Sequence, residues 1–496
     1  MLPEWRNRLF VCGAIILALI GAVQIADGSN ILSFILCGAV LVLILNRIQP
    51  IPLGALAIGL VMAGYIVGNR GFAQFSLAGK APLLPAELAL IIGLGAVLFK
   101  SISLRELPFY RDPLNGMILL WMAIGTIRVV FDVKAFGFVA IRDYAMVYYA
   151  AFFFLAQYLA RDELSRRFLT GCLFTGGIIL LILQPFYQLY PDFFLQKIAI
   201  RGVPLIYYKG DLLATFMALV SLLCFLRFEL RRRVLLLIAS VIALGFMHAS
   251  NNRASLVGLL VATGFLAIGR RWHFAALQLG GGAFAAVLIV LFAYAKGNTW
   301  EETPVFELYE RAASIVDPTG KGSYRGENTS YKGDNNAFRT VWWETTIQET
   351  VETNPWTGLG FGYDLSRRFL ERYFPVNEDD FTVRSPHNVM ITVFARMGLV
   401  GLLPFLAIVA LLMRGTFRAV NLPKAQSQSA ALWCSALVLF MSACFGVVLE
   451  GPMGAMVFWT VLGLAHQELT ANKETSELKQ AELTTTTPTP NLTLPA

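Results

Sequence analysis

This sequence contains about fourteen apolar blocks, and most of them are long enough to cross a bilayer as a helix. Few folds are compatible with such a pattern. Of its 496 residues, 56% are hydrophobic and 15% are charged, whereas an average soluble domain has about 25% charged residues. The blocks predict an all-α polytopic membrane protein with about 12–14 transmembrane helices. The soluble globular, disordered, coiled-coil and disulfide-rich secreted classes are excluded.

The blocks divide the chain into four regions. Residues 1–295 are predicted to form an N-terminal transmembrane bundle of about eleven helices, and residues 388–466 to form the C-terminal transmembrane helices. Residues 296–387 form a long polar loop, and the tail, residues 467–496, is of low complexity and expected to be disordered. The blocks lie at residues 9–26, 30–46, 51–68, 83–99, 113–131, 144–160, 168–187, 211–226, 233–249, 254–269, 273–295, 388–413, 430–449 and 452–466.

Lysine and arginine are unevenly distributed between alternate short connections, which predicts the orientation of the chain. With the N-terminus inside, the cytoplasmic connections hold most of the basic residues, in clusters such as residues 231–233 and 270–271. The tail then lies in the cytoplasm, and residues 296–387 form one large extracytoplasmic (periplasmic) loop containing short helices. The first apolar block resembles a signal peptide, but another block follows it at once, which indicates an uncleaved first helix.

The remaining totals exclude further classes of site. A net charge of +8 would suit nucleic acid, but the basic residues stand in short clusters between apolar blocks, so no nucleic-acid partner is expected. The six cysteines all lie in apolar stretches without a CxxC pair, and the four histidines show no ligand spacing. The sequence therefore predicts no disulfide framework, no metal site and no other cofactor.

Arginines near the outer ends of apolar blocks are candidate functional residues, because charge at membrane depth is costly. Arg253 lies in HASNNRASLVGLL, where one block ends and the next begins. It could equally be an interfacial arginine whose side chain reaches the headgroups. Arg128 and Arg142 lie near the outer ends of two further blocks, and Arg142 beside Asp143 is interpreted first as a structural ion pair.

The outer loop contains a dense group of polar and aromatic residues. The segment 338–352, FRTVWWETTIQETVE, is predicted to be helical, with Asn335 or Asn336 as its cap. Residues 354–356, NPW, stop that helix, and GLGFG (358–362) permits tight turns and the close approach of a ligand. No strand precedes this glycine segment and no βαβ unit follows it, which argues against a dinucleotide loop.

A single histidine stands where the chain re-enters the predicted membrane. His387 lies in SPHNVMITVFARMGLVGLL, residues 385–403, directly before the next apolar block. A lone interfacial histidine is usually structural, but an imidazole close to arginines suits general-base chemistry beside an anionic group.

Taken together, R…VWW…I…NPWTGLGFG…SPHN…ARMGLVG resembles the signature segment of the O-antigen ligase and polymerase superfamily. The stretch SNNRASLVGLL is similar to the helix that precedes that signature, although Asn252 stands where serine is usual. The resemblance covers residues 248–403 and implies a GT-C-like, metal-independent membrane glycosyltransferase. Such enzymes take a glycan from an undecaprenyl-pyrophosphate donor at the outer face of the bacterial inner (cytoplasmic) membrane, in which they are multi-pass proteins.

The resemblance also implies roles for residues of this chain. Arg253 and Arg339 match arginines that bind the pyrophosphate, and His387 matches the histidine that activates the acceptor hydroxyl. This gives a catalytic set of His387, Arg339 and Arg253, with no metal. The accompanying substrate-binding set is predicted to be Arg142, Asn388, Gly358, Gly360 and Gly362.

The acceptor and the exact class of protein stay open at this stage. The acceptor is lipid A-core in a ligase or a second lipid-linked glycan in a polymerase, so lipopolysaccharide and exopolysaccharide biosynthesis are both compatible with the sequence. Membrane lipids and other polysaccharide-assembly proteins are the further expected partners. The alternative is a solute transporter of the same superfamily, but the charged residues cluster at the outer surface and no inverted repeat is present.

Overall fold

The computed structural model describes residues 51–74, 84–200, 202–250, 252–295, 299–303, 327–373 and 384–485, with a few single positions between 297 and 317. The helices in this part of the chain are α1 (Leu53–Ala73), α2 (Pro85–Leu104), α3 (Pro113–Phe136), α4 (Phe138–Asp143), α5 (Ala145–Tyr148), α6 (Ala151–Leu159), α7 (Glu163–Leu189), α8 (Gly210–Arg231), α9 (Val234–Ala249), α10 (Arg253–Ile268), α11 (Trp272–Ala295), α12 (Glu327–Thr353), α13 (Arg367–Tyr373), α14 (Val389–Val420), α15 (Ser427–Ala443) and α16 (Pro452–Thr485).

The predicted all-α membrane fold is confirmed. Within the described residues, seven helical stretches are long and apolar enough to cross a membrane, and α9 and α10 are shorter apolar helices. The seven stretches are Leu53–Ala73, Pro85–Ile102, Pro113–Phe136, Phe138–Leu159, Glu163–Leu189, Gly210–Arg231 and Val389–Val420. The predicted blocks 9–26 and 30–46 lie outside the described residues.

The chain divides into two compact units. The first comprises residues 1–115, 148–209 and 451–460. In it, α1 packs against α2 and α7, and a short antiparallel pair of strands, β1 (Ala199–Ile200) and β2 (Val203–Pro204), follows α7. The Oδ1 atom of the buried Asn69 accepts a hydrogen bond from the backbone N–H of Lys209, at 3.1 Å.

The second unit comprises residues 116–147, 210–450 and 461–496. Its central helix, α8, is buried along most of its length and packs against α9, α10 and α15. Helices α10 and α15 are antiparallel: a Cβ on Gly258, near the start of α10, would lie 3.1 Å from the carbonyl oxygen of Val438, late in α15. Beyond the other end of α10, Nη1 of Arg271 donates to Oγ of Ser427 at 2.7 Å.

Two predicted boundaries differ from the structure. Helix α12 begins at Glu327, so Asn335 and Asn336 lie inside it and neither is its cap. Helix α16 continues to Thr485, so residues 467–485 of the predicted disordered tail are helical, and residues 486–496 lie outside the described part. Glutamate, lysine, alanine and leucine dominate that extension and are strong helix formers, so the helix propagates beyond its apolar part.

Candidate functional site

The segment that follows α12 lies against the first turns of α14. The backbone N–H of Leu359 donates to the carbonyl of Ala395 at 2.7 Å, and that of Leu399 donates to the carbonyl of Pro355 at 2.8 Å. Between them Gly398 has a φ of 62°, and a Cβ there would lie 2.2 Å from the carbonyl oxygen of Trp356. The kink in α14 at Gly398 therefore allows two backbones to meet, which a larger residue would prevent.

The three glycines of GLGFG all adopt the left-handed backbone conformation, with φ values of 71° at Gly358, 96° at Gly360 and 89° at Gly362. A Cβ on Gly360 would lie 2.6 Å from both Nη2 of Arg128 and Oδ1 of Asp132. The tight turns predicted for these glycines are present, and side-chain atoms of Arg128 and Asp132 occupy the space beside Gly360. Substrate contact by these glycines stays a prediction.

Two carboxylates hold the glycine segment through its backbone. Oδ2 of Asp132, on α3, accepts a hydrogen bond from the N–H of Phe361 at 2.7 Å and from Nε of Arg128 at 3.0 Å. Oδ2 of Asp143 accepts from the N–H of Gly362 at 3.1 Å. Hydrogen bonds to a charged acceptor are stronger than neutral ones, so both carboxylates fix the path of this segment.

Arg396 completes this network and was not singled out by the sequence. It lies on α14 with 3% of its side chain exposed, and its Nη2 is 2.9 Å from Oδ2 of Asp143. Its Nη1 donates to the carbonyl of Gly360 at 3.0 Å and also to that of Tyr363. A buried guanidinium with a carboxylate and two carbonyls around it has the partners that its burial requires.

Arg142 lies at the edge of the same network. Its side chain is 59% exposed, and its Nε is 3.7 Å from Oδ1 of Asp143. The predicted pair with Asp143 is therefore present as a long contact, whereas the close partner of Asp143 is Arg396. Substrate binding by Arg142 stays a prediction.

The loop helix α12 carries an aromatic cluster against which His387 lies. Trp342 stacks on Phe369 with ring centroids 5.5 Å apart, and the His387 ring meets Trp342 edge-on at 6.0 Å. Nε1 of Trp343 donates to the carbonyl of Pro386 at 2.6 Å, directly before the histidine. The tryptophan pair of the VWW motif thus positions the segment that contains His387.

The backbone of His387 is itself unusual. Its φ is 56°, in the left-handed region that few residues other than glycine occupy. Asn388 follows as the N-cap of α14, where its Oδ1 accepts from the N–H groups of Met390 and Ile391. Residues held in such backbone conformations cluster at functional sites, where surrounding contacts maintain them.

One segment, residues 444–451, connects α15 to α16 and contacts Arg339, one of the three predicted catalytic residues. Nη1 of Arg339 donates to the carbonyl of Phe445 at 2.8 Å. Arg253 begins α10, and its helix packs antiparallel to α15, so Arg253 lies at the end of α15 where this segment starts.

The C-terminal end of the same segment contacts Ser385, two residues before His387. Oε1 of Glu450 accepts hydrogen bonds from Oγ of Ser385 at 2.6 Å and from Oγ1 of Thr392 at 3.1 Å. Burial raises the pKa of Glu450, against the opposing effect of these hydrogen bonds and of Arg396. Glu450 was missed in the sequence because it stands alone between two apolar blocks.

A carboxylate of α12, Glu349, bonds the residue that directly follows the glycine segment. The Tyr363 hydroxyl donates to Oε1 of Glu349. Burial raises the pKa of Glu349, and burial together with the hydrogen bond to Glu349 raises the pKa of Tyr363 to about 12. The tyrosine therefore stays protonated and able to donate at neutral pH.

The described residues contain no group of three or more histidine, cysteine, aspartate or glutamate side chains arranged to hold a metal ion. The polar groups of the site are instead arginines, a histidine and separately hydrogen-bonded carboxylates.

A comparison with protein-family models matches residues 238–406 to the family described as O-antigen ligase. The match covers about a third of the chain and includes Arg253, Arg339 and His387. The resemblance stated from the sequence is thereby confirmed. No curated protein matches the chain.

Proposed function

We propose that this protein is a glycosyltransferase of the O-antigen ligase type, which moves a glycan from an undecaprenyl-pyrophosphate donor to an acceptor hydroxyl. One observation carries the proposal: Arg253, Arg339 and His387 all lie within the span that matches the O-antigen ligase family. The segment 444–451 contacts Arg339 through the carbonyl of Phe445, and it contacts Ser385, two residues before His387, through Glu450. The reaction takes place at the outer face of the bacterial inner membrane, where the polyprenyl tail of the donor stays in the bilayer.

The two arginines bind the donor in this proposal. A guanidinium presents five N–H donors in a planar fork that matches phosphate oxygens and keeps its charge at all working pH values. Negative charge grows on the pyrophosphate as its bond to the anomeric carbon breaks, so Arg253 and Arg339 stabilise the transition state more than the bound donor. The same two charges take the place of a divalent metal ion.

His387 acts as the general base. The acceptor oxygen forms a bond to the anomeric carbon while the bond from that carbon to the pyrophosphate oxygen breaks. The proton of the acceptor hydroxyl passes to the imidazole, and undecaprenyl pyrophosphate leaves with the electron pair of the broken bond. The neighbouring Trp342 and Pro386 contacts hold the ring at the point where the chain enters α14.

The remaining predicted residues have supporting roles in the proposal. Asn388 holds the start of α14, and Gly358, Gly360 and Gly362 let the loop approach the helices closely. Arg142, with its exposed side chain beside Asp143, contacts the glycan or the phosphates. The acceptor is lipid A-core or a second lipid-linked glycan.

A reconstituted reaction tests the proposal against the transporter alternative. Purified protein in liposomes is given an undecaprenyl-pyrophosphate-linked glycan and an acceptor, with and without EDTA, and the product is followed by gel and mass spectrometry. We expect transfer that EDTA leaves intact. Uptake of a solute into the same liposomes without any glycan transfer would favour the transporter, and loss of transfer in EDTA restored by Mg²⁺ would contradict the role given to the arginines.

A further inference from the structure

The chain that follows α12 meets α14 far along the length of that helix. The backbone N–H of Val400 donates to the carbonyl of Trp356 at 3.1 Å. Beyond Val400, α14 continues to Arg414 and Arg418, two exposed basic residues near its predicted cytoplasmic end. At 1.5 Å per residue, these arginines lie about 21 Å and about 27 Å from Val400 along the helix. Because the hydrocarbon layer of a bilayer is about 30 Å thick, a layer whose inner edge lies at either arginine extends beyond Val400 and reaches Trp356.

The last turns of α12 have one apolar side and one polar side. Ile347 and Val351, one helical turn apart, are 41% and 52% exposed. On the adjoining side, Glu352 pairs with Arg368 of α13 at 2.7 Å and accepts a hydrogen bond from Gln348 at 2.8 Å. The polar side of α12 is thus directed to charged groups of the loop, whereas its apolar side has large aliphatic residues exposed.

The apolar side of α12 continues into the membrane-facing surface of α14. Trp356 is 63% exposed, and its partner Val400 begins a row of exposed apolar residues on α14. Leu403, Leu406 and Met413 continue that row towards the predicted cytoplasmic end. On a membrane-spanning helix, such a row is the face that contacts acyl chains. Tryptophan is enriched where such a surface approaches the membrane–water interface.

The backbone between α12 and the end of the glycine segment meets the requirement that a membrane imposes on irregular chain. In water a loop can leave its N–H and carbonyl groups to the solvent, whereas at membrane depth they need partners in the protein. The N–H groups of Thr357 and Gly358 donate to Oδ1 and the carbonyl of Asn354, each at 3.0 Å. The carbonyl of Gly362 accepts from Nη2 of Arg384 at 2.7 Å. Together with the bonds to α3, α4 and α14 described above, these contacts pair the segment with protein groups.

We propose that the last turns of α12 and the glycine segment form a re-entrant part of the outer loop, whose apolar side contacts the acyl chains of the outer lipid leaflet. Ile347, Val351 and Trp356 form this lipid-contacting surface, in continuity with the exposed face of α14. The glycine segment then lies beside the lipid tails instead of in the water above them. The proposal concerns the position of the loop and does not depend on the proposed transferase activity.

Spin labels on single cysteines test this position in lipid vesicles. The six native cysteines are replaced by alanine in the full-length chain, and a nitroxide is attached in Val351→Cys, Trp356→Cys or Gln348→Cys. Power saturation measures collisions with O2, which concentrates in lipid, and with a nickel chelate, which stays in water. We expect O2 collisions to dominate at Val351 and Trp356, with the Trp356 label about 3–9 Å inside the hydrocarbon layer. Gln348, on the polar side of the same helix, is the matched control and should show mainly nickel collisions.

Two results would overturn the proposal. Dominant nickel collisions at both Val351 and Trp356 would place the surface in water. Low collision rates with both reagents would show that protein, such as a second copy of the chain, covers the surface instead of lipid. Labelled variants are compared only where their thermal midpoints match that of the unlabelled protein.

A second measurement in the native-cysteine chain keeps the test decisive if the cysteine-free protein is unstable. Val351→Lys places a charge against lipid, so its thermal midpoint in lipid nanodiscs should fall below that of the wild type. Gln348→Lys, at the exposed polar position beside Glu352, should keep the wild-type midpoint. Equal midpoints for the two lysine variants would overturn the proposal.

Discussion

Nη2 of Arg396 lies 2.9 Å from Oδ2 of Asp143, and this pair joins α14 to the end of α4 beneath the glycine segment. The same carboxylate oxygen accepts from the N–H of Gly362. One charge pair, with Arg396 buried and Asp143 11% exposed, therefore fixes three parts of the chain that are distant from one another in sequence.

Removing one member of this pair should destabilise the fold strongly. Arg396→Ala removes the close partner of Asp143, whose side chain is only 11% exposed, and breaking a buried charge pair typically costs about 3–5 kcal/mol. Thermal unfolding in detergent should therefore show a large fall in the midpoint for Arg396→Ala. Arg142→Ala is the matched control, because its exposed side chain makes only a long contact with Asp143, and an effect within about 0.5 kcal/mol is expected. Equal midpoints for the two variants would remove the structural role of Arg396.

The sequence predicts the parts of this site that depend on local signals. Apolar length indicates the membrane helices, the NPW stop is where α12 ends, and the position of His387 before an apolar block places it at the start of α14. Asn335 and Asn336 show the limit of such signals, since an asparagine caps a helix only where the chain leaves the helical conformation.

The network around Asp143 could not be predicted in the same way. Arg396 stands among apolar residues in the first half of α14, and its partners lie on other parts of the chain. They are Asp143 and the carbonyls of Gly360 and Tyr363. Glu450 likewise meets Ser385 and Thr392 only through tertiary packing. Hydrophobic periodicity carries no information on which distant polar groups satisfy a buried charge.

The stability of the protein should depend on pH through Glu450. Its pKa is raised above the ordinary value of 4.5 by burial, so the folded chain binds a proton more tightly than the unfolded chain. The stabilising contribution is therefore present below pH 4.5 and is lost as the pH rises through that value towards the raised pKa.

Glu450→Gln tests this dependence, because an amide keeps an acceptor for Ser385 and Thr392 without a charge. Thermal midpoints measured between pH 4 and pH 8 should fall less steeply in the variant than in the wild type. Glu344→Gln, at an exposed position of α12, is the control and should keep the wild-type slope. Parallel curves for Glu450→Gln and the wild type would show that Glu450 has no such role.

The two arginines should not tolerate lysine. Arg253→Lys and Arg339→Lys keep the positive charge but lose the planar fork that meets two phosphate oxygens at once. The loss of a charged hydrogen bond costs about 1.5–3 kcal/mol, so transfer should fall at least about tenfold in each variant. Arg367→Lys, on the exposed face of α13, is the control and should retain full activity. Wild-type product yield from either test variant would make that arginine an interfacial anchor only.

The proposed mechanism requires His387 to take the proton of the acceptor hydroxyl. Asparagine is the most informative replacement, because it tolerates the left-handed backbone found at φ 56° and can hydrogen-bond but cannot accept a proton at neutral pH. The measurement is the rate of glycan transfer from an undecaprenyl-pyrophosphate donor by purified wild-type and His387→Asn proteins with matched thermal midpoints. We predict a loss of about 10²–10⁴-fold in His387→Asn, the usual magnitude of general-base help. A rate close to that of the wild type would contradict the mechanism and leave His387 with a purely structural role.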